Sequence, residues 1–91
     1  MDDLDEAIRE IVESTITSGL FFDSHTVIQL LIERYSDVYH SSFSGDNTNG
    51  YHGLIANRIV LLEDDLIDRR GLSFSKTIHG TYDSCACWVR R

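Results

Sequence analysis

The last third of this chain changes its hydrophobic period partway along. From Tyr51 to Gly71, YHGLIANRIVLLEDDLIDRRG, apolar residues recur at helical spacing. From Leu72 to Arg91, LSFSKTIHGTYDSCACWVRR, they alternate residue by residue. A helix, a glycine stop and a two-stranded hairpin in that order call for an α+β fold. The helix is predicted over about residues 52–66. Ile55, Ile59, Leu62 and Leu66 fall on one side of it, Leu54 and Leu61 on one flank, and Ala56, Val60 and Ile67 on the other. Only Gly53, Asn57 and Asp64 occupy a polar sector. A helix this apolar is buried on more than one side: it is the centre of the domain, or it carries an interface that includes Val60 and Leu61.

In the hairpin Leu72, Phe74 and Ile78 alternate with Ser73, Ser75 and Thr77. A type II′ turn on Gly80-Thr81 pairs Leu72 with Val89, Phe74 with Cys87 and Lys76 with Cys85. That register turns the Leu72 and Phe74 face onto the helices. The other face is small and polar apart from Trp88. If it is open, Trp88 is an exposed aromatic anchor of an interface; if the first helix covers it, Trp88 is core.

Upstream, two further helices are expected. Residues 3–19 carry Leu4, Ile8, Ile11, Val12 and Ile16 at helical spacing, with Asp3 and Glu6 at the start and Gly19 as the stop. Leu20, Phe21 and Phe22 form an apolar joint of core plugs. Asp23 or Ser24 caps a second helix beginning near His25, with Val27, Ile28, Leu31, Tyr35, Val38 and Tyr39 inward and an interruption at Ser36-Asp37. Residues 44–50, SGDNTNG, read as a loop. Aligned as a calcium loop they place Gly45 and Ala56 where acids are required, so no calcium site is expected.

Ninety-one residues make a single domain, 1–91, with little surplus core, so association with a partner would help it. The net charge is −7, unevenly spread: residues 1–50 hold ten acids against two arginines, and residues 51–91 hold five acids against six basic residues. An acidic whole lacks long-range capture of nucleic acid. The acidic outer face of the first helix is a solvated surface or a docking surface that mimics nucleic acid. No run has a signal-peptide layout or the length to cross a bilayer. Cys85 and Cys87, two apart on a strand, share a face and read as free thiols, which places the chain in a reducing cytoplasm. With His79 they make a poor zinc set; as small core residues they need no metal. No phosphate loop, nucleophile elbow or paired zinc histidines are present, so no catalytic residues, cofactor or small-molecule substrate are expected.

Three helices followed by a hairpin, joined by RIVLLEDDLIDRRG, resembles the winged helix-turn-helix superfamily. Leu62-Glu63, Leu66-Ile67, Arg69-Arg70 and Gly71 stand where many such proteins end the third helix and enter the wing. The likeness covers about residues 24–91. It implies DNA binding, with Asn57 and Arg58 as base-edge readers and Arg69, Arg70, Lys76, His79, Arg90 and Arg91 as phosphate contacts. Glu63, Asp64 and Asp65 on the same helix oppose that role. The reading is therefore a winged-helix-like, non-enzymatic regulatory domain that acts through contacts with a protein partner or a second copy of itself as a homodimer, with Val60, Leu61 and Trp88 at its interface. A sequence-specific DNA-binding regulator and an acidic nucleic-acid mimic are the alternatives.

Overall fold

The computed structural model describes residues 3–43 and 48–91. Asp3–Ser14 form α1, Phe21–Asp23 β1, Ser24–Arg34 α2, Ser36–Ser41 α3, Thr48–Val60 α4, Ile67–Lys76 β2 and Tyr82–Arg90 β3. The three strands make one antiparallel sheet in the order β1-β3-β2. The fold is thus α+β, with one hydrophobic core between the helices and the sheet. Among the described residues no helix is long and apolar enough to cross a membrane.

Each helix packs by one stripe. Leu4, Ala7, Ile8, Ile11 and Val12 of α1 are buried, while Asp3, Glu6, Glu10 and Glu13 stay exposed. Val27, Ile28 and Leu31 of α2 meet them, as do Tyr51, Ile55 and Ile59 of α4 at four-residue spacing. Burying side chains of this size contributes about 1.5–3 kcal/mol each relative to exposure, and that term holds the helices on the sheet.

Several boundaries differ from the sequence reading for identifiable reasons. Helix α1 stops at Ser14, before Gly19. Gly19 instead takes φ +87° and donates its N–H to the Arg90 carbonyl at 2.7 Å, turning the chain into β1. Phe21 and Phe22 are not both core plugs. They lie on a strand, so consecutive side chains point to opposite faces: Phe22 is buried and Phe21 is 67% exposed. Tyr35, with φ −130° and ψ 45°, breaks the second helix and starts α3.

The third predicted helix is displaced. It begins at Thr48, inside the expected loop, and ends at Val60; the remainder of that loop, residues 44–47, lies outside the described residues. Residues 61–66 leave the helix through successive tight turns, with Leu61 bonded to Arg58, Leu62 to Ile59 and Glu63 to Val60, and with Asp64 left-handed at φ 68°. Half of the apparent apolar surplus therefore belongs to this turn and to β2. Leu62 and Ile67 still reach the core, while Leu61 is 68% exposed.

The hairpin register is shifted by three residues. Leu72 pairs with Ala86, Ser73 with Cys85, Phe74 with Ser84 and Lys76 with Tyr82. The turn spans three residues rather than two: the Gly80 N–H donates to Thr77 O, the Thr77 N–H donates to Thr81 O, and Gly80 takes the left-handed φ of +86°. An odd shift exchanges the partners of every side chain. Contrary to expectation, Leu72 and Phe74 face solvent, and the serines between them meet the start of α2. A bulge between Arg69 and Leu72, with Gly71 at φ +88°, lengthens β2 back to Ile67.

Candidate functional site

Two surfaces stand out, one polar and one apolar. The polar one is a cleft of about 400 Å³ between the start of α2, the face of α4 and the hairpin. His25, His52, His79, Asp83 and Cys85 are among its lining residues. Its geometry starts from Asp23, the last residue of β1, which is 8% exposed and caps α2. The Thr26 N–H and hydroxyl donate to Asp23 Oδ1 at 2.9 and 3.0 Å, and the Ser73 hydroxyl donates to Oδ2 at 3.0 Å. Burial works against the charged carboxylate. The hydrogen bonds from Thr26, Ser75 and Ser73 more than offset it, and the Asp23 pKa lies below the ordinary carboxylate value.

Cap formation aims the next residues at the sheet. His25 Nδ1 lies 2.8 Å from Ser75 Oγ, which in turn lies 3.9 Å from Cys85 Sγ. Ser75 thus stands between His25 and Cys85 in a chain of polar contacts. Across the cleft, His52 Nε2 is 2.7 Å from the Tyr39 hydroxyl, and its ring stacks against His79 with centroids 6.4 Å apart. Burial, then the charges of His79 and His25, push the His52 pKa below the ordinary imidazole value.

The His52 shift sets a pH dependence. A folded-state pKa below the unfolded one means the unfolded chain binds the extra proton. The contribution of His52 is then complete above the unfolded value, about 6.5, and is lost as pH falls from there through the folded value. Urea midpoints should fall between about pH 7.5 and pH 5.5, and fall less in His52→Gln. Equal slopes in the two proteins would remove His52 as the cause.

The apolar surface is the outer face of the hairpin. Leu72, Phe74 and Tyr82 are 75%, 71% and 63% exposed, and the Phe74 and Tyr82 rings stack with centroids 5.7 Å apart. β2 is also an edge of the sheet. Of the residues expected at an interface, Leu61 is exposed and Val60 is half-buried against the core. Trp88 is a correction. It is fully buried, stacks on Phe22 at 5.7 Å and donates its indole N–H to Glu63 Oε2 at 2.7 Å, so it cannot serve as an exposed anchor. Exposure falls instead on Leu72, Phe74 and Tyr82.

The basic residues expected at nucleic acid are dispersed among acidic partners. Arg58 pairs with Asp5 at 2.8 Å, Arg69 with Glu63 at 2.9 Å and Arg91 with Asp68 at 2.7 Å. The Arg69 guanidinium also lies 5.4 Å over the Trp88 ring. Arg90 donates to the Val12 carbonyl, and Arg70 to the Arg69 carbonyl. Asn57, Lys76 and His79 are exposed. This is the arrangement of charge balance within an acidic domain, not of a continuous basic stripe.

The two cysteines part company. Ser73 is the cross-strand partner of Cys85 and Asp23 that of Cys87; both thiols are free and half-buried. Burial, then Asp23 and Cys85, push the Cys87 thiol pKa up, which favours its neutral form. Sequence reasoning grouped Cys85 with Cys87 and His79. It missed Asp23 and His25 because about sixty residues separate them from Cys85 and no spacing motif spans that distance, and it missed Ser75 because its register paired Cys85 with Lys76.

No family model, no curated protein and no solved structure matches this chain.

Proposed function

We propose that this chain is a winged-helix-like, non-enzymatic regulatory domain that works through protein contacts and pairs with a second copy of itself along its C-terminal hairpin. The order of helices before a terminal hairpin supports the fold reading. The observation that carries the functional one is the stripe of Leu72, Phe74 and Tyr82, three large side chains exposed together on an edge hairpin. Isolated exposed apolar residues are ordinary; three exposed along one hairpin, two of them stacked on each other, mark an interaction surface. An open edge strand beside such a face suits a two-fold partner. Edge-to-edge pairing of β2 with its copy joins the two ladders and brings both stripes together, the same patch on each subunit.

Light scattering or sedimentation of the protein at high micromolar concentration should report a dimer. Phe74→Ser should weaken dimerisation by about a hundredfold or more, because each dimer loses two large apolar side chains from its interface. Its circular dichroism should not change, because Phe74 lies outside the core. A monodisperse monomer of the parent protein under these conditions would sink the self-association reading.

A further inference from the structure

We propose that Asp23, His25 and Cys85 form a zinc-binding site that opens into the histidine-lined cleft. One carboxylate oxygen, one imidazole nitrogen and the thiol sulfur of these residues lie within 4.8 Å of one another. They come from three different places: the end of β1, the first turn of α2 and the middle of β3. Only the tertiary fold brings them together.

The donor set selects the metal. Oxygen, nitrogen and sulfur ligands together disfavour magnesium and calcium, which take oxygen, and suit zinc. Zinc bonds of about 2.0–2.3 Å place tetrahedral ligand atoms roughly 3.3–3.7 Å apart. The observed set must therefore close by about 1 Å, within reach of rotamer changes at the half-buried His25 and Cys85. Asp23 is the rigid member. Its carboxylate is already oriented by the Thr26 N–H, the Thr26 hydroxyl and the Ser73 hydroxyl, the kind of outer hydrogen bonding that fixes metal ligands. Ser75 Oγ, 2.8 Å from His25 Nδ1 and 3.9 Å from Cys85 Sγ, can hydrogen-bond to the ligands. Because His25 and Cys85 also line the cleft, a water or a small ligand can take the fourth position. Bound zinc would tie the start of α2 to the hairpin. It would not require Cys87, whose sulfur contacts the Trp88 carbonyl.

The test uses untagged, reduced, metal-free protein. Zinc titrated in competition with a chromophoric chelator should bind one to one. His25→Gln and Cys85→Ser should each weaken binding by at least about a hundredfold, and Cys87→Ser should leave it unchanged. Cobalt in place of zinc should give the wild-type protein and Cys87→Ser a thiolate-to-metal charge-transfer band, absent from Cys85→Ser. The wild-type band and its thermal stabilisation by zinc but not magnesium do not depend on any variant folding. Absence of stoichiometric binding by the wild type overturns the proposal. So does a cobalt band that follows Cys87, or zinc binding by Cys85→Ser as tight as that of the parent.

Discussion

Trp88→Ala should remove about half of this protein's folding stability. Trp88 is the largest fully buried side chain, stacked on Phe22 between the helices and the sheet. Truncating a buried tryptophan costs about 3–5 kcal/mol, because apolar transfer is lost and a cavity remains. A domain of this size starts with about 5–10 kcal/mol in all. The loss has a polar part as well. The Trp88 indole N–H, followed by Arg69, holds the Glu63 carboxylate below its ordinary pKa range. Removing the indole deprives Glu63 of its shortest hydrogen bond and Arg69 of the ring beneath it. Urea unfolding followed by far-ultraviolet circular dichroism measures the effect, since the only tryptophan is gone. Trp88→Phe should fall between the two, keeping most of the volume and none of the hydrogen bond. A loss under about 1 kcal/mol in Trp88→Ala would mean that the side chain is not in the core.

Asp23→Ala should cost about 2–3 kcal/mol, a large effect for a polar residue at a strand end. The substitution removes the helix cap and strands the Ser73 hydroxyl in a half-buried place. Asp23→Asn keeps an acceptor at the cap and should cost about 1 kcal/mol. The two variants also separate by pH. The folded-state pKa of Asp23 is depressed, so its stabilisation is complete above the unfolded value of about 3.9 and disappears as pH falls through the folded one. The stability gap between the parent and Asp23→Asn should therefore narrow on acidification below about pH 4. A gap independent of pH would show that the charge on Asp23 contributes nothing. Because Asp23 also sits in the proposed zinc set, these measurements belong in chelator-treated protein.

Three helices, expected over 3–19, from about 25 and over 52–66 and found at Asp3–Ser14, Ser24–Arg34 and Thr48–Val60, and a C-terminal hairpin were legible in outline because each rests on a local signal. Leu4, Ile8, Ile11 and Val12 repeat at helical spacing. Asp23 is a strong cap, and Gly80 a strong turn residue. Strand β1 was not legible. Three residues, Phe21 to Asp23, cannot show a period, and they are strand only because β3 pairs with them. The buried and exposed faces of the hairpin were also illegible, since a two-residue and a three-residue turn around Gly80 use the same residues and yield opposite partners.

The candidate site divides in the same way. Composition alone established an acidic chain with its basic residues concentrated in the last third, because charge is additive along a sequence. Which carboxylates those residues meet was set by folding, which puts Arg58, Arg69 and Arg91 beside Asp5, Glu63 and Asp68. Periodicity established that the last third is a helix followed by strands, since period is a property of neighbours. Which side chains of that hairpin are exposed depends on the register of β2 against β3, and the grouping of Cys85 with Asp23 and His25 joins segments some sixty residues apart. Such contacts form only when burial of one shared core pulls distant segments together, and no local pattern encodes them.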